Sequence, residues 1–173
     1  MIFFGHLGLT TGAIKVVEKL DCNIKVDYRF VLIGLILPDI IDKPIGAFLF
    51  RNIFHNSRIF GHTLLFPIII MLFGVYSIKN NKKSNVLFLG IASFIHLVLD
   101  SMWLYPQILF WPILGFKFPT RPEGSWIKND FVRLVSDSNY YMPELIGFVI
   151  IAYYFIKIIK NKNVKAFLKE GKL

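Results

Sequence analysis

The chain has 173 residues, read as one domain over 1–173, with 55% hydrophobic residues, 18% charged residues and a mean hydropathy of +0.57. A soluble domain carries about 25% charged residues, so the composition favours an integral membrane protein over a soluble helical domain with an oversized core. The net charge of +9 does not indicate nucleic acid as a partner, because the Lys and Arg residues gather at helix ends and in the tail without a basic-aromatic module. Cys22 is alone, which excludes an internal disulfide. The start Met1-Ile2-Phe3-Phe4 lacks the basic region of a cleavable signal.

Five apolar helical segments are predicted. They cover Phe3 to Leu20, Tyr28 to Asp42 with Pro38 inside, His62 to Ile78, Asn85 to Leu104, and Pro143 to Lys160. The expected fold class is therefore all-α, a polytopic membrane helical bundle of about five helices. Several segments fall short of the ~20 residues that span a bilayer, so the first two are read as short or partly inserted. The polar turn Asn80-Asn81-Lys82-Lys83 makes the third and fourth segments an antiparallel hairpin. Tyr105 to Tyr141 is long and mixes Trp111, Phe116, Phe118 and Trp126 with Pro106, Pro112, Pro119 and Pro122. It reads either as a functional lid or as an aromatic belt at the membrane surface. Most of the 20 Lys and Arg residues fall between Lys15 and Arg29, in the Lys79 to Lys83 turn and in the tail. The positive-inside rule then places the C-terminus in the cytoplasm and the opposite face outside it.

His96 and Asp100 lie four apart in the fourth segment, on one helix face. An Asp near mid-membrane costs about 3 kcal/mol on insertion scales, so a partner or an ion is expected beside it. His6, Asp39, Asp42 and His62 fall at the same expected level, the outer one, in three further segments. Neutral imidazole nitrogens and carboxylate oxygens suit Zn²⁺ or a related divalent ion. Each residue also has a plainer reading. His96 with Asp100 forms a self-satisfied buried pair, His62 is an interfacial residue, and Asp39 ends a helix. Asp42 pairs with Lys43 or water, and His55 is a solvated loop residue.

The order His6-Leu7-Gly8, Leu37-Pro38-Asp39, Gly61-His62-Thr63, His96-Leu97-Val98-Leu99-Asp100 and Trp111-Pro112 resembles the membrane-bound metal-dependent hydrolases. That family includes an inner-membrane protein of the bacterial LexA regulon. A more distant similarity runs to zinc-dependent phospholipase C and the S1/P1 nucleases. The resemblance implies an inner-membrane hydrolase holding one or two metal ions, Zn²⁺ first, that acts on an ester or phosphoester of lipid-like character. Its metal shell would be His6, Asp39, His62, His96 and Asp100, with Asp39 the alternative general base. The family's second carboxylate comes one position earlier than Asp42, and its His-Arg stands closer to the Thr-His-Ser element than His55 does. Asp42, His55 and Arg58 are therefore secondary candidates. No His follows His96, which argues against a three-zinc cluster. Arg58 and Arg121 are candidate contacts for an anionic substrate, against the reading of both as solvent-exposed. Two non-enzymatic readings stay open: a transporter whose polar residues line an ion path, and a scaffold whose polar cluster fixes helix packing.

Overall fold

The computed structural model describes residues 3–21, 24–81, 83–120, 132 and 136–173. Cys22, Arg121 and Trp126 lie outside these residues. The fold is all-helical, with no strand among the described residues. The helices are α1 (Phe4–Leu20), α2 (Tyr28–Asp42), α3 (Arg51–Phe54), α4 (Leu65–Asn81), α5 (Asn85–Leu99), α6 (Pro106–Leu109), α7 (Ser138–Lys160) and α8 (Val164–Glu170). A π-helical segment, Lys43–Leu49, continues directly from α2, and a 3₁₀ turn, Met102–Leu104, follows α5.

The chain forms two compact units, one of Met1–Leu32 with Glu123–Leu173 and one of Ile33–Pro122. In the first unit α1 packs on α7. The contact is close because both helices present glycine: a Cβ on Gly8 would strike the backbone of Gly147, and one on Gly147 would strike the carbonyl of Phe4. Glu144, buried on α7, accepts hydrogen bonds from the N–H groups of Phe3 (3.2 Å) and Gly5 (3.1 Å) at the start of α1. Those N–H groups have no partner within their own helix, and an anion at a helix N-terminus is also favoured by the dipole.

In the second unit α4 and α5 form the expected antiparallel hairpin. A Cβ on Gly34 of α2 would strike the Leu89 carbonyl of α5, and Ser93 Oγ donates to the Gly34 carbonyl at 2.6 Å. This crossing sets Asp39, five residues beyond Gly34, against His96, three residues beyond Ser93. Leu97, Met102 and Ile108 form a core at the same end, with Leu109 and Phe118 against it.

Three predicted boundaries are corrected. The third segment starts at Leu65 and not at His62. Pro67 has no N–H and falls in the first turn of the helix that begins at Leu65, where that donor would have no partner within the helix. The fourth segment ends at Leu99, which makes Asp100 its C-cap instead of an interior residue. Ser101 then takes a left-handed conformation (φ 54°) and the chain turns away. The fifth segment begins at Ser138, where Asp137 Oδ1 accepts from Asn139 N at 2.9 Å, and Pro143 lies inside it. This helix, α7, is the one described helix long and apolar enough to cross a membrane, while α4 and α5 are shorter apolar helices.

Candidate metal centre

Asp42, at the end of α2, has no exposed surface. Its Oδ2 accepts from Ile59 N (2.7 Å) and His62 N (3.1 Å), and its Oδ1 from Gly61 N (2.8 Å). These bonds, with Thr63 Oγ1 donating to the Phe60 carbonyl at 2.8 Å, hold residues 59–63 as a turn in place of a first helical turn. Asp42 Oδ2 also lies 2.7 Å from His62 Nδ1. In the neutral ring the proton therefore belongs on Nδ1, which leaves the Nε2 lone pair facing inward.

That lone pair points into a group of donors. His62 Nε2 lies 3.4 Å from His96 Nε2, 3.7 Å from Asp39 Oδ1 and 3.7 Å from Asp100 Oδ2. Asp39, His62 and His96 each offer one donor atom, and the three lie within 4.8 Å of one another. Tetrahedral zinc with ligands at about 2.0–2.1 Å separates neighbouring donors by about 3.3 Å. The 3.4 and 3.7 Å separations from His62 Nε2 are close to that spacing, and the Asp39 and His96 donor atoms lie within 4.8 Å of each other.

Electrostatics around the donors are one-sided. Three carboxylates, Asp39, Asp42 and Asp100, face His62. Burial disfavours the charged imidazole, but the carboxylates of Asp100 and Asp42 outweigh it and raise the His62 pKa above its ordinary value. Two cations stand behind the carboxylates: Lys43 Nζ lies 2.7 Å from Asp39 Oδ2, and Arg58 Nη2 lies 2.5 Å from Asp100 Oδ2. The plainer reading of Asp42 is corrected here, since Lys43 binds Asp39 one helical turn before it. The solvent-exposed reading of Arg58 is corrected by its ion pair with Asp100.

Asn56 is a shaping residue that the sequence reading did not single out. It is buried, its Oδ1 accepts from Arg58 N at 3.0 Å, and its Nδ2 donates to the Pro119 carbonyl at 2.8 Å. An Asn two residues before a candidate Arg is an Asx-turn signal that could have found it. His55 is exposed, takes a left-handed conformation and closes α3, and no described contact joins it to the cluster. His6 is on α1, in the other compact unit. Next to the cluster, Phe60 packs edge-on against Trp111 (5.3 Å) and Phe118 (5.1 Å), and Trp111 stacks on Phe118. The described part of the long connection is thus tied to the His62 turn by aromatic contacts and by Leu64 N donating to the Leu109 carbonyl at 2.7 Å.

Residues 1–164 match the model of the YdjM inner membrane protein family. The chain belongs to that family. Membership establishes a membrane protein, in agreement with the apolar composition and with α7. No curated protein and no solved structure matches the chain.

Proposed function

We propose that this YdjM-family protein is a metal-dependent hydrolase whose metal would be held by three of the four residues Asp39, His62, His96 and Asp100, leaving one position open for a water. The observation that carries this reading is the convergence of two imidazole Nε2 atoms and a carboxylate oxygen within 4.8 Å, behind a carboxylate-oriented histidine. A divalent ion there, Zn²⁺ first, supplies Lewis acidity: it makes a water more acidic and polarises an acyl or phosphoryl oxygen. Asp39 is the most exposed of the donors, with 27% of its side chain accessible. Where His62, His96 and Asp100 are the three donors, Asp39 is the carboxylate placed to take a proton from the attacking water, and Lys43 on its other oxygen favours the ionised form. Arg58 lies beside Asp100 and suits an anionic substrate group, which favours a phosphoester. Exposed Trp103, Leu104, Ile113, Leu114 and Phe116 follow Asp100 in the chain and support a substrate of lipid-like character met at the headgroup level. In this reading α4 and α5 also lie in the bilayer, making the bundle polytopic. The cluster sits on the extracytoplasmic face of the inner membrane, with the C-terminus in the cytoplasm.

Elemental analysis of the purified protein tests the reading. The native chain is expected to carry close to stoichiometric metal, and the double variant His96→Ala with Asp100→Asn to lose it. Hydrolysis of a chromogenic phosphoester should disappear with the metal. Equal, near-zero metal in both proteins would sink the proposal.

A further inference from the structure

From Lys157 to the C-terminus the chain carries Lys157, Lys160, Lys162, Lys165, Lys169 and Lys172 against a single acid, Glu170. All six lysines are exposed, and Glu170 pairs with Lys172. The tail is held in place by contacts within its own unit. Arg29 Nη1 donates to the Leu168 carbonyl at 2.8 Å, Tyr28 N to the Gly171 carbonyl at 2.9 Å, and Lys15 Nζ to the Leu173 carbonyl at 2.9 Å. Gly171 turns the chain at φ 68°, and a Cβ there would strike the Asp27 carboxylate. Helix α8 begins shortly after α7 ends, at the end of the candidate membrane span. Among these lysines it exposes two apolar residues one turn apart, Val164 at 45% and Leu168 at 65%.

We propose that α8 and the lysines around it form a binding surface for anionic phospholipid headgroups, in the leaflet where α7 ends. Three features converge on that occupant. A span ends there, so a headgroup layer is adjacent. Positive charge is concentrated just beyond the span, where Lys residues attract anionic lipid over a Debye length. Leu168 and Val164 stand out from the same short helix, as they do on helices that lie in an interface. Lysine stems cover such apolar surface while their ammonium groups reach phosphates. Because hydrogen bonds from Lys15, Tyr28 and Arg29 to its carbonyls anchor the tail, the surface is preformed, and it involves no residue of the metal cluster.

The test uses the full chain in nanodiscs of phosphatidylcholine alone or with phosphatidylglycerol added, read by hydrogen exchange of the backbone amides of α8. Exchange is expected to be about fivefold slower with phosphatidylglycerol, and the slowing should fade at high salt. The variant Lys162→Gln, Lys165→Gln, Lys169→Gln should remove the difference between the two lipids. If those changes already loosen the tail in phosphatidylcholine, the corresponding triple Lys→Arg variant decides: retained slowing supports the surface and its loss refutes it. Equal exchange of the native chain in both discs would overturn the proposal, as would an unchanged difference in the glutamine variant. A soluble polyphosphate that slows exchange equally in phosphatidylcholine discs would overturn the assignment to lipid.

Discussion

Asp42 has two jobs that a single carboxylate performs only when fully buried among donors. It satisfies the N–H groups of Ile59, Gly61 and His62, and it orients the His62 ring through Nδ1. In sequence it looked like a displaced second ligand, because spacing cannot separate a carboxylate that binds a metal from one that binds the ligand behind it. The i, i+4 relation between Asp39 and Lys43 was readable, and that pair is the one that forms. Asp42→Asn keeps the size but turns an NH₂ towards backbone donors, so buried N–H groups lose their acceptor. Unfolding of the metal-free protein should show a loss of about 3 kcal/mol. Isothermal titration with zinc should show binding weaker by about 10–100-fold, the usual effect of removing a histidine's orienting carboxylate. Unchanged zinc affinity would show that His62 needs no such support.

At the scale of elements, the apolar segments were legible because hydropathy alone marks them, but their ends were set by particular residues. The Asp42 hydrogen bonds hold His62 in a turn ahead of α4, and Pro67 suits the first turn of that helix. The proline was visible in the sequence, and the carboxylate twenty residues away was not. Helix contacts depend on which glycines meet backbone. Gly147→Ala would force α1 away from α7, because the new methyl would strike the Phe4 carbonyl, and a cost of about 1–3 kcal/mol is expected. Gly12→Ala is the control. Its Cβ would meet only the Ile150 side chain, at 3.5 Å, and the helix gains about 0.5–1 kcal/mol of propensity. Thermal unfolding in detergent should lower the midpoint for the first and hold or raise it for the second. Equal effects would refute the close crossing of α1 and α7.

Across the whole molecule, ends of the chain far apart in sequence are joined by a few polar contacts. Asp27 is the hub in the first unit. Its carboxylate takes Arg29 Nε at 2.9 Å and Nη2 at 2.6 Å, and that guanidinium also reaches the Leu168 carbonyl. The Arg29 hydrogen bond outweighs burial and holds the Asp27 pKa below its ordinary 3.8. The stabilisation is therefore fully present above about pH 4 and is lost as pH falls through the lowered folded value. Asp27→Asn should lower the thermal midpoint at pH 7, and the gap to the native chain should close in strong acid. A gap that persisted unchanged there would mean that charge is not its source.

Composition, hydropathy and the polar turn starting at Asn80 by themselves determined the helical class, the membrane setting and the pairing of α4 with α5, because apolar burial depends on residue type and a short polar turn leaves successive helices antiparallel. The sequence also singled out His6, Asp39, His62, His96 and Asp100, since ionisable groups near apolar helices need partners. Which of them share a centre was decided by tertiary structure. The Gly34–Ser93 crossing brings α2 to α5, the Asp42 carboxylate folds the His62 turn inward, and Arg58 closes on Asp100. Each of these is a hydrogen bond, backbone contact or ion pair between residues distant in sequence, and local propensity carries no record of such distances.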